Sequence, residues 1–372
     1  MSDLNIQKVV KEKESQIRNK WGSVDNAPYI EKYFWGFPPL RFYSIKSAFG
    51  PEYSKKYGNN KCWSADIVSD LYLKGKPVEK VLSICCGFGQ VEQHMVPYLD
   101  SVRECLAIDI APDAIEKARA MAQLANLDQT ITYKVADLNV LDWHQNDYDL
   151  VIANGALHHL ANLEKVITGI RYSLKPKGVL YANEYVGPNY QEHGHRQLEL
   201  INAMAYLVPP ELRRMRTKRH STKELLAFIW DILTGRHEPP EERAYWPYKY
   251  KLAHSIMRVM AGKLPYKSKK VKLPLLHKSQ KNFYLKSDPS ECVRSSEIID
   301  IVKSIFNYVK VHQYGGSLLA YALDERFYNK FNNHNVRHRK LLELLIAIEE
   351  SFIDLGEIPI EYAIIVASND AF

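Results

Sequence analysis

The sequence predicts an α/β fold, a mostly parallel sheet flanked by helices, with a helical aromatic-rich segment ahead of it and helical insertions late in the chain. Three observations carry this. From Lys80 onward, short apolar runs alternate with amphipathic stretches, the pattern of repeated βαβ units. The first of these runs ends in a glycine-containing turn, Cys85-Cys86-Gly87-Phe88-Gly89. The alternation breaks off after Gly187-Pro188 and resumes only about a hundred residues later.

Residues 1–76 hold many aromatics, from Trp21 through Phe42 and Tyr43 to Trp63, without a sustained period, and Pro38-Pro39 and Gly50-Pro51 read as breaks. Helices are expected over about 3–20 and 62–74, joined by an aromatic-rich loop, the whole forming an N-terminal cap. In the core, 77–189, strands are expected at 80–84, 104–109, 131–135, 148–153 and 178–185. Helices at about 90–98, 113–125 and 162–174 lie between them. The last ends at Lys175-Pro176-Lys177-Gly178, a stop whose basic residues suit the negative end of the helix dipole. Residues 190–289 form a basic helical insertion with periodicity at 196–207, 221–233 and 250–261 and a Lys-rich, Pro-broken stretch, placed to act as a lid. Residues 290–372 complete the sheet with a helix at 295–306 and strands at 308–314 and 361–367, separated by a second helical insertion at about 317–355.

The composition, 46% hydrophobic and 25% charged with ordinary Gly and Pro, excludes a collagenous or disordered chain. No apolar run approaches the roughly 20 residues that cross a bilayer, and the charged N-terminus has no secretory pattern. Five cysteines, an odd number, fit neither a disulfide framework nor a metal-binding pair set. Reduced thiols and a cytoplasmic protein are expected. The net charge of +7 is uneven: residues 191–290 carry 20 Lys and Arg against 9 Asp and Glu, so that segment holds all the positive excess.

Glycines at the mouth of a first parallel strand let a ligand approach the backbone, and the helix that follows offers free N–H groups. A dinucleotide turn would want a small residue at position 92, where this chain has Glu92. A plain strand–helix turn is the blander alternative. Asp109 then ends the second strand about 20 residues after Gly89, where an acid accepts both ribose hydroxyls. Asp137 closes the third strand, placed to accept from an exocyclic adenine amine, and Asn154-Gly155-Ala156-Leu157-His158-His159-Leu160 follows the fourth.

Taken together, VLSICCGFG, AIDIAPDAIEKA, VADLN, YDLVIANGALHHL and LKPKGVL resemble the class I S-adenosylmethionine (AdoMet)-dependent methyltransferases over roughly 78–186, 293–314 and 361–367. VLSICCGFGQVE, NEYVGPNY, YGGSLL and EYAIIVA are similar to a little-characterised bacterial group of them. The resemblance implies a Rossmann-like seven-stranded methyltransferase sheet with one antiparallel strand and AdoMet as cofactor. It places Cys85, Gly87 and Gly89 at the methionine and ribose side, Asp109 and Ile110 at the ribose, Asp137 and Leu138 at the adenine, and Asn154 at the fourth strand's end of the site. Two departures stand out. Ser83 replaces the usual first-strand acid that helps hold the cofactor's ammonium, leaving that task to Glu92 through water or to a loop carbonyl. Cys85 replaces a glycine and is small enough for the turn while its φ stays negative.

Methyl transfer from a sulfonium is an in-line displacement, so the protein supplies orientation and, for a hydroxyl acceptor, a base. The candidates are His158 and His159 beyond the fourth strand and Glu184, which with Tyr185 ends the fifth. Each has a plainer reading: one His packs, the other caps the next helix, and Glu184 anchors the insertion. His193 and His195 have the spacing of a ligand pair without an acidic or Cys partner, so no metal is expected. The leading function is O-methylation of a small molecule or glycan. An anionic acceptor or a peripheral membrane contact would suit the run Lys263, Lys267, Lys269, Lys270 and Lys272. The alternatives are an RNA methyltransferase or nucleic-acid-binding protein using the basic insertion, and a protein that binds AdoMet without catalysis. Nucleic acid is disfavoured because no NPPY-like tetrapeptide follows the fourth strand. Acceptor identity and oligomeric state are not legible.

Overall fold

Aliphatic runs buried on both faces build the sheet. The computed structural model describes residues 38–209, 212, 281–323, 331–332 and 334–372. Its first elements are helices α1 (Pro38–Phe49), α2 (Pro51–Tyr57) and α3 (Trp63–Val68), the last running into a single π turn, Ser69–Leu73. The core follows as β1 (Lys80–Ile84), α4 (Gln90–Tyr98), β2 (Glu104–Asp109), α5 (Pro112–Leu124), β3 (Ile131–Val135), β4 (Tyr148–Asn154), a 3₁₀ turn at Leu157–His159, α6 (Leu163–Ser173) and β5 (Leu174–Tyr185). Then come α7 (His195–Leu207), α8 (Lys281–Ser287), α9 (Ile298–Ile305), β6 (Tyr308–Tyr314), α10 (Leu319–Ala322), α11 (Val336–Asp354) and β7 (Tyr362–Ser368).

The strands pair in the order β3-β2-β1-β4-β5-β7-β6. Pairings from β3 to β5 are parallel, and β7 runs antiparallel to both β5 and β6. Strand order reverses between β1 and β4, and an open α/β sheet binds its ligand at such a switch point, beyond the strand C-termini. Apolar clusters fill both faces, one under α3, α4 and α5 and the other under α6 and α9.

Four expectations need correcting or fall elsewhere. The aromatic stretch after residue 37 is two helices, because Pro51 opens α2 at a first-turn position whose N–H has no helical partner anyway. Lys175-Pro176-Lys177-Gly178 lies inside β5, where Lys177 takes φ 64° and the β4–β5 register shifts between Tyr148 and Leu150. The helix expected at 295–306 is a 3₁₀ turn followed by α9. The helices expected at 3–20, 221–233 and 250–261 and the run Lys263–Lys272 lie outside the described residues. Among those described, no helix is long and apolar enough to cross a membrane.

A third cluster joins α1, α7, α10 and α11 around Leu40, Ile201, Leu318 and Leu345. At its edge, fully buried Glu349 accepts from the backbone N–H groups of Gly316, Leu318 and Leu319 at 2.5–2.8 Å and from the Tyr43 hydroxyl at 2.9 Å. Changing Glu349 to Leu would strand several buried donors, each costing about 1–3 kcal/mol. A loss of more than about 3 kcal/mol is expected in urea unfolding of Glu349→Leu; a loss below 1 kcal/mol would mean that water readily replaces the carboxylate.

Candidate cofactor and acceptor site

A cavity of about 750 Å³ opens at the switch point, walled by the turns after β1, β2, β3 and β4 and closed on one side by Tyr284, Ser290 and Glu291. Of the residues expected from sequence, Cys85, Gly87, Asp109, Ile110, Asp137, Leu138, Asn154, His158 and His159 all line it. Gly89 and Glu184 do not.

The first turn is tighter than its composition suggests. Cys85, Gly87 and Gly89 all have positive φ, at 47°, 53° and 77°. The expectation of a negative φ at Cys85 is therefore wrong: the turn needs three left-handed residues, and one of them is not glycine. Gly89 caps α4 from below, where an added Cβ would lie 2.2 Å from the Tyr133 hydroxyl. Its part is to let helix and strand close up, and the ligand-facing backbone belongs to Gly87.

Asp109 accepts from Gly87 N–H at 2.9 Å through Oδ2 and from Ala111 N–H at 2.8 Å through Oδ1. Each oxygen keeps lone-pair capacity for one of two vicinal hydroxyls. Burial pushes its carboxyl above the usual range, against the pull of these N–H groups. Asp137 spends Oδ1 on the backbone and side chain of Asn139, at 2.8 and 2.9 Å, which fixes the turn after β3. On the cavity floor Glu92, 1% exposed, takes a 3.1 Å hydrogen bond from the Ser83 hydroxyl through Oε2, and its buried Oε1 has no partner. A vicinal-diol acceptor, a close-approach glycine and an unmatched buried carboxylate oxygen fit the ribose, chain and ammonium of AdoMet.

The other end of the cavity is built on Glu184. Its side chain is fully buried and does not line the cavity. Oε1 accepts from Ala156 and Leu157 N–H, both at 2.8 Å, and Oε2 accepts from His158 Nδ1–H at 2.7 Å. Both Glu184 carboxylate oxygens are thus engaged by the protein, and in the neutral imidazole a proton held on Nδ1 leaves His158 Nε2 as the acceptor. Burial alone would lower the His158 pKa, but the hydrogen bond and charge of Glu184 outweigh it and raise it above 6.5. His159 packs with its ring centroid 4.2 Å from that of His158 and lies 3.2 Å from Ser290 Oγ, which donates to Asp288. Burial, with His158 beside it, lowers His159 to about 4, so it stays neutral.

Sequence reasoning missed Glu291 and Ser290. Val293 N–H donates to the His158 carbonyl at 3.1 Å and pins that returning segment over the site, a contact no local pattern announces. Glu291 Oε1 lies 3.8 Å from His158 Nε2, and His158, His159 and Glu291 hold ligand-capable atoms within 4.8 Å of one another. The pair singled out from spacing is split: His193 is buried against Glu361, while His195 is exposed beside Glu199. Tyr185 also leaves the cleft, packing edge-on against Tyr362.

Residues 76–227 match a family model described as a methyltransferase domain. An uncharacterized methyltransferase of Schizosaccharomyces pombe is 26% identical over 127 residues, 31% of this chain and 42% of that protein. One from Synechocystis is 31% identical over 105 residues, 28% of this chain and 45% of that protein. The 2-phytyl-1,4-naphtoquinone methyltransferase of Trichormus variabilis is 21% identical over 135 residues, 36% and 58% of the two chains. The chain thus spans about half the length of these curated relatives. Its core is a class I AdoMet-dependent methyltransferase domain, and AdoMet is the cofactor of that class.

A left-handed residue with a Cβ costs roughly 1–2 kcal/mol. Cys85→Gly should therefore raise stability, by about 1 kcal/mol after the added unfolded-state entropy. Chemical denaturation reads this directly, and a destabilised variant would show that the Cys85 side chain contributes more in packing than its backbone loses.

Proposed function

We propose that the protein transfers the methyl group of AdoMet to a hydroxyl oxygen of a small-molecule or glycan acceptor, with His158 as the base. The observation that carries this is His158 on the cavity wall, its Nδ1 held by the buried Glu184 carboxylate. The acceptor oxygen attacks the methyl carbon as the carbon–sulfur bond breaks, the sulfonium becomes a thioether, and the hydroxyl proton passes to His158 Nε2. Glu184 stabilises the imidazolium that results. Ser290 and Glu291 supply hydrogen-bonding groups for orienting the acceptor, and His159, neutral and packed against His158, shapes the wall.

A small acceptor is in keeping with a cavity of about 750 Å³. Relatives are named for a naphthoquinone and for a sterol as methyl acceptors. Among the described residues lining the cavity none is Lys or Arg, so the charge of an anionic or polyanionic acceptor would have to be met by the basic insertion. Methyl incorporation from labelled AdoMet into separated metabolite, protein and RNA fractions tests the reading. Label in the metabolite fraction is expected; label in RNA alone would favour the basic-insertion alternative, and none at all a non-catalytic binder.

Two further outcomes follow. Asp109→Ala should weaken binding of the demethylated product, S-adenosylhomocysteine, by roughly 1.5–3 kcal/mol in calorimetry. Unchanged affinity would place the ribose elsewhere. With an acceptor in hand, His158→Ala should slow turnover by about 10²–10⁴-fold. The wild-type rate should climb with pH through a value above 6.5, because His158 must be unprotonated to act and Glu184 raises its pKa. In Glu184→Gln that charge is gone, so the acid limb should move to lower pH while the rate drops. An unmoved limb would assign the titration to another group.

A further inference from the structure

We propose that Glu92, reaching the cavity floor from α4, is the counter-ion of the cofactor's ammonium group, in place of the first-strand acid that this chain lacks. The inference rests on AdoMet binding as read above. Position 83 on β1 holds a serine, and its hydroxyl is turned to Glu92. The two side chains share one site, with the carboxylate supplied by the helix and the strand contributing only a donor to steady it.

The environment of this carboxyl calls for a cation. Its neighbours are Ser83 on β1, Cys86 in the turn, Cys105 and Asp109 on β2, and Tyr133 on β3, and none of these carries positive charge. Oε1 is buried without a hydrogen-bond partner, and a buried acceptor left unmatched is costly. The residue nonetheless lines the cavity, as do the left-handed turn after β1 and Asp109. Burial lifts Glu92 to about 7, against the hydrogen bonds of its own backbone N–H, Ser83 and Tyr133 and with a smaller push from the Asp109 charge. In the ligand-free protein this favours the protonated form more than for an exposed glutamate. An ammonium docking on Oε1 satisfies the orphan atom, favours the ionised form and drives off the proton.

The same geometry separates this residue from Asp109. The hydroxyl contacts of Asp109 depend on the ribose, and those of Glu92 on the amino acid end. A ligand that keeps the nucleoside and sulfur chain but bears hydrogen in place of the amino group should feel only the first.

The test compares calorimetric binding of S-adenosylhomocysteine and its deaminated analogue at pH 6 and pH 8. For the wild type, the ratio of the two affinities should rise by about tenfold over that interval, as expected for a group titrating near 7 that must be ionised for one ligand alone. In Glu92→Gln the ratio should be smaller at pH 8 and nearly independent of pH, with circular dichroism confirming a folded protein. A wild-type protein with no preference for the amino ligand at pH 8 overturns the assignment without recourse to any variant, and so does a Glu92→Gln protein that keeps the wild-type preference for the amino ligand. If both ligands bind and only the ratio fails, the cofactor reading stands and Glu92 is excluded. If neither binds to the wild type, both fall.

Discussion

A carboxylate taken out of water must be met by donors, and the way this chain meets its buried acids organises everything around the cavity. Glu184 is met by two strong backbone N–H groups and His158, Glu349 by three N–H groups and Tyr43, and Glu361 by His193, Gln197 and Tyr321. Each acid ties a loop to a strand or helix far away in sequence. Glu184 ties the turn after β4 to β5, Glu361 ties α7 and α10 to the start of β7, and Glu349 ties the loop after β6 to α11. Glu92 is the exception: Oε2 takes the Ser83 hydroxyl, the buried Oε1 has no hydrogen-bond partner, and the residue is among those lining the cavity.

That contrast separates structure from chemistry. A fully satisfied buried acid holds geometry; one with an unmatched oxygen has binding capacity left over. The two ends of the cavity use this difference in opposite ways. At one end, Asp109 keeps lone-pair capacity and Glu92 an unpaired oxygen. At the other end, Glu184 gives all its capacity to the protein and leaves His158 to line the cavity. The result is a cavity with an acidic half and a histidine-lined half, joined at the point where β1 and β4 part.

The backbone bears a matching constraint. Three left-handed residues within five positions after β1 let the chain reverse sharply enough for Gly87 N–H to reach Asp109 on the next strand. Gly89 also lets α4 approach Tyr133, and that approach brings Glu92, three residues further on, over Ser83. Turn strain and the position of the cofactor-facing acid are therefore consequences of one another.

Much of this was legible in the chain itself. Period and punctuation placed β1, β2, β3 and β6 on the observed residues, because short apolar runs between turn signals have few other ways to be buried. The acids and glycines at strand ends were readable because their chemistry depends on spacing along the chain. Elsewhere the local signal misled. Prolines at 38, 39 and 51 read as breaks, yet a proline starts a helix as readily as it ends one, and packing decides between the two. The sign of φ at Cys85, the withdrawal of Glu184 behind His158, and the arrival of Glu291 beside the histidines were settled only in three dimensions. They depend on which distant segments meet across the sheet, and a one-dimensional pattern carries no record of that meeting.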